Sequence, residues 1–295
     1  MSLSKSIVRL ITGLIIGFTA FFVLIYGGVP LALLVLVIIL LASKEYSIIL
    51  KNKGFLPSFK IIVASGILFE VLTYFNLYKL MPLAFTLSAF MAFMWVLFRG
   101  KQPYIANVAT TILGSVYCGW FPVHLLMLRD IGSCCGDSIV FNGLIKTNAS
   151  MEGAIYCVLM LLAVILTDSF CYYTGIQFGK HKLAEVISPN KTIEGSIGGT
   201  LMCIIFCLIF GHIIQIEWYH SLILGILIAA FAQIGDLCES MIKRDAGVKD
   251  SSDIIPGHGG FLDRTDSHLL TIPVVYYYVQ FFIMCDVSEL FKGLF

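Results

Sequence analysis

What the chain lacks most is charge. Only 13% of its 295 residues are Asp, Glu, Lys or Arg, against 59% hydrophobic, and mean hydropathy is +0.94. A soluble domain carries roughly 25% charged and about 45–50% apolar residues, so this sequence has too few charges to solvate the outside of a water-soluble protein of its size. Net charge is +1, which provides no broad basic surface and argues against nucleic acid as a partner. A disulfide framework is also missing. Cys118, Cys157, Cys171, Cys203, Cys207, Cys238 and Cys285 lie in or beside apolar runs, where a thiol behaves as a small hydrophobe. Cys134 and Cys135 are adjacent, a spacing that suits neither zinc nor an easy mutual bridge. The sequence holds no low-complexity tract and no convincing internal repeat. Its apolar runs come at nearly even spacing, which favours one continuous helical bundle over two soluble domains.

A helix needs about 20 apolar residues to cross a bilayer. Runs at 7–26, 29–49, 60–77, 80–98, 106–127, 153–178, 197–215, 219–238 and 268–285 meet that pattern, so the expected fold is an all-α, polytopic integral membrane bundle of about nine transmembrane helices. Lys44 and Glu45 interrupt the second run and are expected to snorkel at a helix end. Glu70 interrupts the third and requires a partner that the sequence does not name. The first run follows Lys5 and Arg9 but has no small-x-small cleavage site before the next span, so it is read as retained rather than as a signal peptide.

Alternating nine spans puts 15 of the 19 lysines and arginines on the side that holds the N-terminus and the loops near 50–60, 99–105, 179–196 and 239–267. Only Lys79, Arg129, Lys146 and Lys292 fall on the other side, and the positive-inside rule makes the rich side cytoplasmic. The expected organisation is therefore N-terminal membrane spans over 1–127, an extracytoplasmic loop over 128–152 with no assigned chemistry, and a catalytic membrane region over 153–295. That region carries cytoplasmic loops at 179–196 and 239–267. An integral protein of the cell inner or plasma membrane, with its site on the cytoplasmic side, follows from this count.

The acidic residues are unevenly spread: 11 of 18 lie between Asp168 and Asp266. A charge at the bilayer centre costs about 2.5–3.5 kcal/mol on insertion scales, so such residues default to a functional reading. The densest segment begins at Gly235-Asp236-Leu237. Asp236, Glu239 or Ser240, and Lys243 recur at three- and four-residue spacing and share a helix face. Arg244, Lys249 and Asp250 follow, then Pro256-Gly257-His258-Gly259-Gly260 and Asp263-Arg264-Thr265-Asp266. Glycines around a histidine let backbone amides approach a ligand and form an anion-binding nest. Asp263 and Asp266, one turn apart beside Lys and Arg, suit a magnesium ion shared with substrate phosphates. Taken one at a time, each of these carboxylates is as well explained by balancing a neighbouring cation in a solvated loop; it is the ordered combination that points to chemistry.

The other loop reads Gly179-Lys180-His181-Lys182 and Ser188-Pro189-Asn190-Lys191-Thr192-Ile193-Glu194-Gly195. It offers hydroxyls, amides and cations for phosphate or ribose. Upstream, Asp168 sits inside an apolar run with Tyr172 and Gly175 on its face. It must face the bundle or a polar cavity, as a pocket residue or as a structural hydrogen-bonding partner.

Ser240, Lys243-Arg244, Lys249-Asp250, Pro256-Gly257-His258-Gly259-Gly260 and Asp263-Arg264 with Asp266 together resemble the signature of the phosphatidate cytidylyltransferases, the CDP-diacylglycerol synthases. The resemblance extends to Gly235-Asp236-Leu237, to Ser188-Pro189, Lys191-Thr192 and Glu194-Gly195, and to Asp168 with Tyr172. Roughly residues 160–285 carry it, whereas the N-terminal spans match only as hydrophobic helices. It implies that CTP and phosphatidic acid give CDP-diacylglycerol and pyrophosphate, with Mg2+ as cofactor. It also implies metal positions at Asp236 and Asp263, with Asp266 or Asp168 supporting them, and phosphate contacts among Lys191, Lys243, Arg244, Lys249 and Arg264. Ser188, Thr192, Glu194, Ser240, Gly257, Gly259, Gly260 and Tyr172 join the expected substrate site. His258 is open between a phosphate contact, a proton relay and a structural role.

The physical chemistry agrees with that expectation. A phosphate oxygen already anionic near neutral pH needs no strong base, so catalysis reduces to positioning two polyanions and neutralising the leaving group. Membrane lipids surround the expected enzyme; a homodimer is compatible with it, though no residue localises the contact. Three rivals are weaker. A CTP-dependent isoprenoid alcohol kinase requires a base for a neutral hydroxyl. An anion transporter places its site near the midplane within repeats. A CDP-alcohol phosphotransferase requires an aspartate-rich pattern absent here.

Overall fold

The computed structural model describes residues 13, 15, 17–132, 139–141, 145–147, 151–252, 254 and 259–284. Among them the chain is almost wholly helical. Helix α1 covers Gly17–Tyr26, α2 Gly28–Asn52, α3 Phe59–Tyr74 and α4 Met81–Arg99, the last preceded by a single tight turn at Tyr78–Leu80. Helices α5 (Tyr104–Gly114) and α6 (Phe121–Arg129) are joined without a break by a π-helical turn, Ser115–Trp120. Then come α7 (Met151–Phe178), α8 (Ile193–Ile213), α9 (Trp218–Asp245) and α10 (Leu262–Tyr278), which runs on as a π-helical segment to Met284. The first of the nine expected spans, 7–26, is described as a helix over Gly17–Tyr26, with residues 7–12, 14 and 16 outside the described residues; the other eight fall on these helical runs. Seven are long and apolar enough to cross a membrane, which makes this an all-α polytopic membrane protein. The runs at α1 and α3 are shorter, 16 residues in α3.

Helices dominate for a physical reason. Inside a bilayer no water is present to satisfy backbone amides and carbonyls, and a helix pairs them within one segment. The ends are set by local chemistry. Helix α4 stops at Gly100, whose φ of 61° lets its amide turn back to the carbonyl of Val96 at 3.0 Å. Helix α8 starts at Thr192, whose hydroxyl accepts the amide of Gly195 at 3.1 Å.

Two short antiparallel hairpins depart from the loop expectation. Strands β1 (Ile139–Phe141) and β2 (Ile145–Thr147) lie within the segment read as an outer loop. Strands β3 (Lys182–Ala184) and β4 (Ser188–Thr192) pair Lys182 with Thr192 and Ala184 with Ser188. The polar loop at 179–196 is thus a hairpin that leads directly into α8. Ladder hydrogen bonds satisfy the backbone of a segment with too little apolar periodicity to announce a strand.

The chain divides into two compact units. One comprises Met1–Met127, Ser138–Ala149 and Met241–Thr265; the other comprises Leu128–Asp137, Ser150–Ser240 and Asp266–Phe295. In the first unit, Leu31, Val35, Ile39, Tyr46, Ile62 and Phe69 are fully enclosed. Three connections that charge counting assigned to one membrane face are tied together there. The amide of Leu56 donates to Asn107 Oδ1 at 2.7 Å, that of Ser58 to Thr111 Oγ1 at 3.0 Å, and Asn107 Nδ2 to the carbonyl of Lys101 at 3.0 Å. Lys53 pairs with Asp245 at 2.9 Å.

The second unit rests on α7 packed against α8 through small residues, the usual way for membrane helices to approach closely. A Cβ at Gly195 would lie 2.7 Å from the carbonyl oxygen of Cys171, and one at Gly175 would lie 3.2 Å from Thr192 Oγ1. Cys118, Cys157, Cys171, Cys203, Cys207 and Cys238 are free thiols, as expected; Cys134, Cys135 and Cys285 lie outside the described residues. Glu70 is buried at 7% exposure, and the partner that the sequence left open stays unassigned. Gly195→Val is expected to force α7 and α8 apart and to destabilise the protein by about 1–3 kcal/mol. A lowered thermal midpoint in detergent, measured against Ile197→Val on the exposed face of α8 as the control, reads this out.

Candidate active site

Helices α7, α9 and α10 and strand β4 each bring polar side chains to one cluster in the second unit. Asp236, near the end of α9, holds the ammonium of Lys191 at 2.6 Å and lies 3.4 Å from the hydroxyl of Ser240 one turn on. Asp168 on α7 accepts from Ser267 Oγ at 3.5 Å, and Asp266 accepts the Ser267 amide at 2.7 Å. The carboxylates of Asp168, Asp236, Glu239 and Asp266 lie within electrostatic range of one another. Helices α9 and α10 meet closely because position 235 is glycine: a Cβ there would sit 2.6 Å from the carbonyl oxygen of Asp266. Asp168, expected to face the bundle or a polar cavity, lies beside Ser267 with part of its surface accessible, while Asp266 and Glu239 are enclosed.

The hairpin residues are held by their own neighbours. Glu194 accepts the amides of Lys180 (3.0 Å) and His181 (3.2 Å) and pairs with His181 Nδ1 at 2.6 Å. Thr192 spends its hydroxyl on capping α8. Ser188 sits in β4, half-buried. Tyr172 is 65% exposed, its ring edge-on to Tyr173 at 5.7 Å.

A second cluster forms in the first unit around the segment 243–264. Lys243, from the last turn of α9, forms an ion pair with Asp263. The other oxygen of Asp263 accepts the amide (3.1 Å) and hydroxyl (2.9 Å) of Ser251. Gly247, at φ 71°, ends α9, with Val248 N turned back to the carbonyl of Lys243 at 3.0 Å. Gly260 packs so tightly on Ser251 and Asp263 that a Cβ would lie 2.7 Å from Asp263 Oδ2. Arg244, Lys249 and Arg264 are exposed, and Gly259 has φ 84°. Gly257 and His258 lie outside the described residues.

The centre of this second cluster is Glu45, which the sequence reading sent to the interface as a snorkelling residue. It is fully buried. Its Oε1 accepts from Ser252 Oγ and from the Phe261 amide at 2.9 Å; its Oε2 accepts from Ser251 Oγ at 3.0 Å and the Leu262 amide at 2.6 Å. Phe261 and Leu262 open α10, where unpaired amides and the positive end of the helix dipole favour an anion. Glu45 thereby fastens both ends of the segment 251–262. A carboxylate inside an apolar run was the one available signal. Ser251 and Ser252 gave none, because nothing distinguishes them from a spacer between Asp250 and Pro256.

The oxygen donors of this cluster are of the type that magnesium takes. Asp168, Asp236, Glu239 and Asp266 offer only hard oxygen ligands, with Lys191 as counter-charge. Among the described residues, no three acidic, histidine or cysteine side chains gather around a common point.

Replacing Glu45 by Gln keeps the shape but turns an amide NH2 toward groups that are themselves donors. A buried hydrogen bond to a charged group contributes about 1.5–3 kcal/mol, so Glu45→Gln is expected to lower the thermal midpoint and to cut turnover by about tenfold or more. Unchanged stability and turnover would remove Glu45 from the organisation of the site.

The profile of the cytidylyltransferase family matches residues 7–282. A phosphatidate cytidylyltransferase of Synechocystis is 33% identical over 281 residues, covering 92% of this chain and 95% of that protein. The chloroplastic phosphatidate cytidylyltransferase 5 of Arabidopsis thaliana is 31% identical, across 92% of this chain and 71% of its own length. A phosphatidate cytidylyltransferase of Bacillus subtilis reaches 40% identity over 137 residues, 46% of this chain and 51% of that protein. With a match over residues 7–282, across both polar clusters, this chain belongs to the cytidylyltransferase family.

Proposed function

We propose that the chain transfers CMP from CTP to phosphatidic acid, giving CDP-diacylglycerol and pyrophosphate in phospholipid biosynthesis. The observation that carries this is the near full-length similarity to proteins named phosphatidate cytidylyltransferase, in a chain whose polar side chains collect in two clusters at helix ends. A phosphate oxygen of phosphatidic acid attacks the α-phosphorus of CTP. The new P–O bond forms as the bond from that phosphorus to the bridging oxygen breaks, and pyrophosphate leaves with the electron pair. No hydroxyl is deprotonated, so the protein's work is alignment and charge neutralisation.

Asp236, Asp263 and Asp266 are the proposed magnesium ligands, with Asp168 in support. Bound there, the ion would neutralise charge on the triphosphate and its leaving group. Lys191, Lys243, Arg244, Lys249 and Arg264 are assigned to phosphate oxygens. Lys191 and Lys243 are already oriented by Asp236 and Asp263, so each cation is held in place before a polyanion arrives. Ser188, Thr192, Glu194, Ser240 and Tyr172 are assigned to the nucleotide and headgroup surroundings. Gly257, Gly259 and Gly260 would give backbone amides close access to phosphate, and His258 a phosphate contact or proton relay. Nine crossings, with α1 and α3 as the two shorter ones, put these loops on the cytoplasmic side. That placement is supported by the 15 of 19 basic residues on it and by the hydrogen bonds joining Leu56 to Asn107 and Ser58 to Thr111. Assembly as a homodimer belongs to the same proposal and is read from mass in detergent.

The deciding measurement is transfer of label from CTP to phosphatidic acid by purified protein in mixed micelles, with and without magnesium. A lipid-soluble CDP product that requires both substrates and the metal is the expected result. No product from folded protein would overturn the reading and direct the search to an isoprenoid alcohol acceptor. Asp263→Asn is expected to lower turnover by about 100-fold or more while the protein still folds, and Lys146→Ala to leave it unchanged.

A further inference from the structure

Helices α3 and α4 pack side by side in the first unit and leave between them an open groove of about 890 Å³. It lies apart from both polar clusters, and three features define what it takes. Its walls are apolar: Ala64 and Leu68 from α3 face Leu87 and Met91 from α4. The two hydroxyls along it are already spent within their own helices, Ser65 Oγ on the carbonyl of Ile62 and Ser88 Oγ on that of Phe85, each at 2.9 Å. The groove therefore asks for no hydrogen bond. At one end stand two cations, Lys60 in the first turn of α3 and Arg99 in the last turn of α4, the latter 5.1 Å over the ring of Trp95.

The third feature is depth. From Lys60 to Leu68 the wall descends about 12 Å, and from Arg99 to Leu87 about 18 Å, at 1.5 Å per helical residue. The hydrocarbon core of a bilayer is about 30 Å thick, so the groove is one leaflet deep. Lys60 and Arg99 also belong to the cation-rich face, where anionic headgroups attract interfacial Lys and Arg.

We propose that this groove is a binding site for one anionic phospholipid, its acyl chains lying between α3 and α4 and its headgroup phosphate held by Lys60 and Arg99. The site is distinct from the proposed catalytic residues and does not depend on the reaction assigned to them.

The test uses phosphatidylglycerol, an anionic lipid that is not the proposed substrate, so that retention at the catalytic clusters does not imitate the result. Native mass spectrometry of the detergent-purified full chain should show phosphatidylglycerol retained over phosphatidylcholine by about 30-fold, the scale expected of two interfacial cations at about 1 kcal/mol each. The preference should vanish in Lys60→Ala/Arg99→Ala. Ala64→Trp, which fills the groove and leaves both cations in place, should reduce retention as well, and this second variant guards against a fold lost in the first. A photoreactive acyl chain should label peptides covering 60–68 and 87–99. Equal retention of the two lipids, an unaltered preference in both variants, or labelling elsewhere would overturn the proposal. So would crosslinks showing the groove filled by a second copy or by the chain's own first residues.

Discussion

A carboxylate removed from water must be given hydrogen-bond donors, and Glu45 receives four, two from serine hydroxyls and two from the backbone. Much of the first unit's polar architecture follows from that requirement. The donors come from positions more than 200 residues away in sequence, so Ser251, Ser252 and the start of α10 are tied to α2. The same serine that satisfies Glu45 also reaches Asp263, and Asp263 in turn holds Lys243. A residue of an early membrane helix thus sets the positions of a carboxylate and a cation that belong to the chain's most distinctive motif. The N-terminal helices do more than anchor the protein: one of them supplies the counterpart around which the motif is organised.

The second unit solves a different problem with different means. There, four carboxylates on three helices share a restricted space with Lys191. Mutual repulsion would push them apart were the helices not forced together by glycine contacts at Gly195 and Gly235. Close packing and charge crowding oppose one another, and the balance favours a group that brings positive charge. A hard divalent cation is one such group, and carboxylate oxygens are the ligands it takes.

Most of the fold was legible because the bilayer makes one simple demand. Apolar runs near 20 residues long must be helices, and among the described residues seven of them are long and apolar enough to cross. The candidate site was legible where charge interrupted apolar sequence in a fixed order, as at Asp236, Lys243 and Asp263. It was not legible where the meaning of a residue lay in a distant partner. Glu45 looked like an interfacial residue because Lys44 precedes it and the helix end is near; only the donors from Phe261 and Leu262 make it a buried cap. Thr192 was read for its hydroxyl toward a ligand, and its further part in starting α8 shows only in the bond from the Gly195 amide. The β3–β4 hairpin escaped notice because its pairing rests on backbone hydrogen bonds rather than on alternating side chains.

Ser251 carries a consequence of its own. Its hydroxyl stands 3.0 Å from Glu45 and 2.9 Å from Asp263, yet it owns a single proton. That one hydrogen is shared between the two carboxylates. Were Asp263 to gain another source of positive charge, the Ser251 proton would be free to turn toward Glu45, which caps α10. Arrival of a cation at the motif would then be felt, through one rotating hydroxyl, in the helix that begins the chain's last membrane crossing.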